Sequence, residues 1–348
     1  MLYALVFSFV FGVLLKTSIE RFPRFVEELQ RVATDPRSCL RRERMALWPV
    51  VSTVWSAAMS RSHHYPSDLS DAEWIILSPL LPIAPTGGRP RKWSLRTILD
   101  GIFYLLRGGC AWRMLPCDFP PWQTVYHYFR QWRLDGMWEN LNAVLRERER
   151  MRQGRNAQPS ACIIDSQSVK ATSVGGIRGY DGAKKLSGRK RHLLVDALGR
   201  VLRARVHAAD AQDRAAVPLV LEGVVEQFPR LEHLWADQGY TGTGKEWIEQ
   251  HLDWTVEIVH HAPNPRGEWR PIGDLNDLAT LHFEWVRLPP APKRFRGILP
   301  RRWVAERTFS WFGQSRRLAK EYERLCATSE AMIYATMTRL MVRRLARA

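Results

Sequence analysis

Two short apolar runs that each end in an aspartate constrain this chain more than any other feature. Ala161-Cys162-Ile163-Ile164 leads into Asp165, and Leu231 to Ala236 leads into Asp237. A short apolar run that stops at a carboxylate reads as a buried strand whose last residue reaches the sheet edge, where loops carry chemistry. Between the two, His192 to Val195, the turn Asp196 to Gly199, and Val201 to Val206 read as a β-hairpin. Ala215 to Gln227 has helical spacing, and Thr255 to Val259 reads as another strand. Strand, hairpin, helix, strand, helix, strand and then a long helical C-terminal region is a mixed α/β order.

The residues before this region read differently. Ser70-Asp71-Ala72-Glu73 is a capping box that starts a helix carrying Trp74, Leu77 and Leu80, ended by Pro79 and Pro82. A Gly/Pro loop from Pro85 to Lys92 holds Arg89, Arg91 and Lys92. Ser94 then caps a second helix, whose stripe of Leu95, Ile98, Leu99, Ile102, Phe103, Leu105 and Leu106 stops at Gly108-Gly109. A third helix opens at Pro120-Pro121 and runs to Gly136. Three short helices in this order suggest a small all-α, helix-turn-helix-like domain over 59–150. In that reading Gln123, Thr124 and His127 meet base edges, and Arg130 lies nearer phosphates. A plain three-helix bundle with solvated polar faces is the other reading. Asn140 to Asn156 reads as an exposed polar helix leading to a linker and a domain boundary near Gly154 to Ser160.

The formal net charge is +17, far beyond what solubility requires, and such an excess favours a polyanion partner, nucleic acid first. From Lys293 onward fourteen Lys/Arg face four Glu, which concentrates the excess. The run Lys184 to Arg191, with Lys185, Arg189 and Lys190, reads as a basic loop suited to phosphate contact or as a solvated charge run. With 45% hydrophobic residues the chain is expected to be globular. Its five cysteines have neither metal-ligand spacing nor the even count of a disulfide framework, which points to a reducing cytoplasm. The apolar stretch Met1 to Leu15 is too short to span a bilayer and lacks a basic leader, so no membrane role is expected. Residues 1–58 differ from everything downstream and are expected to be a non-native or read-through extension, with Met59 as the functional start.

A third carboxylate, Glu306, lies in Arg302-Trp303-Val304-Ala305-Glu306-Arg307-Thr308-Phe309, whose spacing is helical. If the two strands are neighbours and this helix leans over their ends, the three acids converge. Hard oxygen ligands grouped this way suit Mg²⁺ or Mn²⁺, and a pair of such ions can serve both oxygens of an in-line phosphoryl transfer.

These blocks resemble a known family. Ile163 to Lys170, Ala236-Asp237-Gln238-Gly239-Tyr240 and Trp303 to Trp311 are similar to the three acidic blocks of DDE transposases of the insertion sequence five family, whose core is ribonuclease-H-like. Gly88-Arg89-Pro90-Arg91-Lys92-Trp93 and Trp112 to Pro116 resemble that family's N-terminal region. The resemblance spans nearly all of 65–348. It implies a ribonuclease-H-like mixed sheet with flanking helices over 160–348, interrupted by an insertion at about 260–298. It also implies a metal-dependent enzyme of the prokaryotic nucleoid that cleaves DNA at terminal inverted repeats. The freed 3′-hydroxyl would then join target DNA, in a synaptic complex of two or more copies. Asp165, Asp237 and Glu306 would be its catalytic metal ligands. A sister group carries Tyr, Arg, Glu and Lys around the third acid. Here Arg302 stands at the Arg position, Leu299 at the Tyr and Gly313 at the Lys, leaving Arg316, Arg317 or Lys320 to supply the last charge. A catalytically silent DNA-binding regulator derived from such an enzyme, and a general nuclease without end recognition, are the alternatives. Gly239 to Lys245 has the spacing of a phosphate-binding loop, but Glu246 stands where a hydroxyl is needed.

Overall fold

The computed structural model describes residues 65–82, 91–259, 267–273, 280–287 and 302–347. The 1–58 extension, Arg89, His63-His64, His260-His261, the Arg302 side chain and most of the 260–298 insertion lie outside the described residues.

The N-terminal helices form where the sequence signals place them. In α1 (Asp71–Leu77) the Ser70 hydroxyl accepts from the Glu73 amide at 3.2 Å, and the Glu73 carboxylate accepts from the Ser70 amide at 3.0 Å. Helix α2 (Leu95–Gly108) is capped by Ser94 and ends at Gly109, whose left-handed φ of 76° suits a residue without Cβ. Helix α3 (Trp122–Leu134) follows Pro121. Helix α4 (Met137–Arg152) departs from expectation, because its polar sequence is not an exposed face. Trp138, Leu141, Asn142, Leu145, Arg146, Glu149 and Arg150 are buried. Buried charge is tolerable only when paired. Arg150 meets Asp196 at 2.5 Å, Arg200 grips both Glu149 oxygens at 2.5 Å, and Asn142 donates to the Val201 carbonyl at 2.8 Å.

The sheet is built from β1 (Ala161–Lys170), β2 (Gly179–Asp181), β3 (Leu186–Asp196), β4 (Val201–Ala208), β5 (His233–Asp237) and β6 (Thr255–Val259). Strand β1 lies between β3, its antiparallel neighbour, and β5, its parallel one. Strands β2 and β4 pair with β3, and β6 extends the parallel side. The expected helix at 215–227 is broken. Helices α5 (Val217–Leu221) and α6 (Val224–Gln227) are separated at Glu222-Gly223, where Gly223 takes φ 68°. Together with α7 (Thr243–His251) they cover one face, around Ile164, Leu194, Leu234 and Ala236. Strands β7 (Glu268–Ile272) and β8 (His282–Val286) make a separate hairpin.

On the opposite face lie α8 (Arg302–Gly313) and α9 (Cys326–Ala346). One apolar cluster there joins Ile163, Leu193, Val195 and Trp235 of the sheet to Val304, Phe312 and Met337, and continues into Ile98, Phe103, Phe129 and Trp138 of the N-terminal helices. The sheet and those helices therefore share a core. Helix α9 also tends the edge strand β4, since the amides of Ala204 and Val206 donate to the Tyr334 hydroxyl and the Glu330 carboxylate, both at 2.9 Å.

The presumed basic loop at 184–191 is mostly strand β3, and it carries buried cations. Arg189 is 1% exposed and donates to the carbonyls of Ile177 and Arg324, at 2.7 and 2.6 Å. Arg191, equally buried, donates to the Leu318 carbonyl at 2.7 Å and reaches Glu321 at 3.4 Å. Glu321 in turn accepts from Ser329 at 2.6 Å and from the Glu323 amide at 3.1 Å. This clamp pins the segment before α9 to β3. Glu321→Ala leaves two guanidinium groups buried without their counter-charge and should cost about 3–5 kcal/mol, measured by urea unfolding of the full chain. A loss under ~1 kcal/mol contradicts the clamp.

Candidate active site

The two aspartates are brought together by strand register. Ile163 of β1 pairs with Trp235 of β5 in parallel alignment, and Asp165 and Asp237 each lie two residues further along. That equal displacement past the last paired position sets both aspartates at the same end of the β1–β5 ladder. Because side chains alternate, both issue on the face of Ile163 and Trp235, the face on which α8 packs. Asp165 is 8% exposed, and Asp237 is half-buried. Each carboxylate is oriented by a backbone amide. The Ser166 amide donates to Asp165 Oδ1 and the Gly239 amide to Asp237 Oδ1, both at 2.8 Å.

Glu306 arrives on α8. Val304, Ala305, Thr308 and Phe312 turn inward on that helix, whereas Glu306 is exposed. Among the described residues no group of three or more His, Cys, Asp or Glu side chains gathers closely enough to hold a metal ion. Asp165 and Asp237 therefore lie on adjoining strands, with Glu306 on the helix packed over the same face. The donor set nonetheless fits a hard divalent cation, since it offers oxygen ligands already held by amides.

A second polar cluster lies beneath, on the other face of the same strands. Asp213, in the loop after β4, accepts from the Ser166 hydroxyl at 2.8 Å, pairs with the Lys190 ammonium at 3.0 Å and lies 3.4 Å from His192 Nε2. His207 Nδ1 faces the Ala208 carbonyl at 2.8 Å, so it carries a proton, and His207 Nε2 accepts from His192 Nδ1 at 2.8 Å. Tyr240 is fully buried against His192. Nothing in the sequence marks Asp213, because it follows no apolar run and belongs to no motif.

The proposed DNA contacts divide by exposure. Gln123, His127 and Arg130 are exposed along α3 and Thr124 is half-buried, so they present one polar face. Arg91, Lys92, Lys185, Arg316 and Lys320 are exposed. Arg189 and Lys190 are not available to phosphate, since both are buried and engaged by protein oxygens. Lys190 donates to the Ala211 carbonyl at 2.8 Å as well as to Asp213. Arg317 is also buried, bound to Glu323 at 2.7 Å and to the Cys110 carbonyl at 2.9 Å. Among the described residues no helix is long and apolar enough to cross a membrane.

Comparison with known proteins places two family descriptions on the chain. The transposase DDE domain matches residues 156–341, and an IS4/5-family transposase description (DUF4096) matches residues 69–142. The insertion element IS402 uncharacterized 16.2 kDa protein of Burkholderia cepacia is 30% identical over 115 residues, 31% of this chain and 76% of that protein. The uncharacterized protein y4sN of Sinorhizobium fredii is 27% identical over 103 residues, 30% of this chain and 76% of that protein. No solved structure matches the chain.

The buried histidines make stability depend on pH. Burial, and for His207 the neighbouring His192, lowers both imidazole pKa values below the ordinary range. Below about pH 6.5 the unfolded chain takes up protons that the folded chain refuses, so stability falls as pH drops from 7 towards the folded values. His207→Gln should reduce that loss, read from urea midpoints at pH 7.5 and 5. Parallel pH profiles for variant and parent would contradict it.

Proposed function

The chain belongs to the DDE-domain transposases, and from that premise we propose that it cleaves DNA at the ends of an insertion sequence and joins the freed end to target DNA. Its ribonuclease-H-like layout is the antiparallel ladder β4-β3-β1 continued by parallel β5 and β6. The observation that carries the proposal is that Asp165 and Asp237 each follow the paired residues Ile163 and Trp235 by two positions, on the sheet face packed by the helix of Glu306.

In this reading Asp165, Asp237 and Glu306 would be the residues that hold a pair of Mg²⁺ or Mn²⁺ ions. When bound, such ions would supply charge neutralisation at the phosphate and activation of the attacking oxygen. The chain itself contributes no nucleophile. It contributes fixed geometry, with carboxylates oriented by amides from Ser166 and Gly239 so that little reorganisation accompanies reaction.

Recognition is assigned to the helical region 59–150. The exposed face of α3 reads base edges through Gln123, Thr124 and His127 while Arg130 meets phosphate. Arg91, Lys92, Lys185, Arg316 and Lys320, exposed and cationic, add sequence-independent attraction for duplex DNA. Arg302 is proposed as a further DNA contact from the family pattern alone. Two DNA ends must be held at once, which calls for a dimer or larger assembly. The cytoplasm, where DNA is accessible and thiols stay reduced, is the compartment that fits.

A strand-cleavage and joining assay with Mg²⁺ on the element's own ends tests the proposal. Asp165→Asn should lower cleavage by at least ~10²–10³-fold, as for loss of a preorganised charge-stabilising group, while leaving end binding intact. Cleavage at parental rates in that variant refutes the assignment. No cleavage by the parent chain, with end binding retained, would instead favour a silent regulator. Equal cutting of unrelated DNA would indicate a general nuclease. Separately, Arg130→Ala should weaken duplex binding and flatten the plot of log affinity against log salt by about one phosphate contact. An unchanged slope removes Arg130 from the interface.

A further inference from the structure

The polar cluster beneath β1 and β5 is more built than a fold requires. Asp213 comes from a loop, yet it is hydrogen-bonded to Ser166, the residue after Asp165, at 2.8 Å. It also backs Gly239, two residues after Asp237. A methyl group added at Gly239 would lie 3.0 Å from Asp237 Oδ1 and 3.1 Å from Asp213 Oδ2. One carboxylate therefore accepts from the residue after Asp165 and stands beside the glycine two residues after Asp237. Its own place is fixed by the Lys190 ammonium, 7% exposed, which donates to Asp213 and to the Ala211 carbonyl two residues before it. Lys190 is anchored in turn by its position in β3, directly across from Ser168 of β1.

We propose that Asp213 is a positioning residue. Through the Ser166 hydroxyl it sets the spacing and orientation at which Asp165 and Asp237 offer their carboxylates to divalent cations. The proposal rests on the reading of those two aspartates as metal ligands. Asp213 touches no reacting atom in this scheme. Its effect passes through Ser166 to Asp165, which explains why a loop with no apolar pattern carries a carboxylate turned inward against the two central strands. Groups that hold metal-ligating carboxylates in place commonly govern affinity about 10–100-fold, although they never meet the ion.

The test is Mn²⁺ binding to the full chain without DNA, followed by the electron paramagnetic resonance of free Mn²⁺ and accompanied by a thermal melt. Asp213→Asn should weaken Mn²⁺ binding by about tenfold or more. Ser166→Ala, which removes a single oxygen, should weaken it in the same direction, and Ser166→Thr, which keeps the hydroxyl, should restore it. The double variant should bind no more weakly than Asp213→Asn alone, because both changes cut one link. Parental Mn²⁺ affinity in a folded Ser166→Ala chain overturns the proposal, even if Asp213→Asn melts early or fails to fold. Asp165→Asn separates the two levels. If it binds Mn²⁺ as well as the parent, the ligand assignment itself is wrong and the positioning role falls with it.

Discussion

The parallel pairing of β1 with β5 is the constraint on which the rest of the site depends. Adjacent strands of an antiparallel hairpin need only a tight turn, whereas parallel neighbours need a crossover long enough to return the chain to the same end of the sheet. Here the hairpin β3–β4 and the broken helix α5–α6 occupy that crossover. The register that results sets Ile163 against Trp235, and both aspartates follow at the same displacement. A slip of one residue would move one carboxylate to the opposite face and abolish their proximity. The apolar layers on either side hold that register. Ile163 and Trp235 pack under α8, and Ile164 and Ala236 pack under the crossover helices.

Strand β3 shows how much charge such a sheet can bury when every group is matched. Arg189, Lys190, Arg191 and His192 are consecutive and all buried, so alternation sends two to each face. The arginines face α9 and the segment before it, where Glu321 and several carbonyls receive them. Lys190 and His192 face the loop of Asp213. Isolated buried cations would be prohibitive, and here each is matched by a carboxylate or carbonyl of a segment distant in sequence, which ties that segment to β3.

Much of the architecture was legible locally. The capping box at Ser70, the Ser94 cap and the Gly109 terminus each form as written, because caps depend on residues within one turn of each other. The apolar runs into Asp165 and Asp237 were legible as strands for the same reason, but only β5 stops at its aspartate, whereas β1 continues past Asp165 to Lys170 because its pairing with β3 carries it on. Where reading failed, charge was the cause. The Arg/Glu-rich α4 and the basic run into β3 both read as solvated, yet both are buried, because their counter-charges come from residues such as Asp196, Arg200 and Glu321 that lie far away along the chain. The polar stretch near 154–160 suggested separate cores, whereas the apolar cluster runs through the helices and the sheet together.

The sequence alone therefore determined where most of the helices and strands begin, which aspartates follow apolar strand segments, and that the chain as a whole is strongly cationic. These properties rest on short-range periodicity and on composition. Only the tertiary structure decided which strands are neighbours, which face each carboxylate shares with α8, that Asp213 stands beneath the pair, and which cations remain exposed. Contacts between residues distant along the chain leave no periodic mark in it, because they are selected by the packing of whole faces and not by any local pattern.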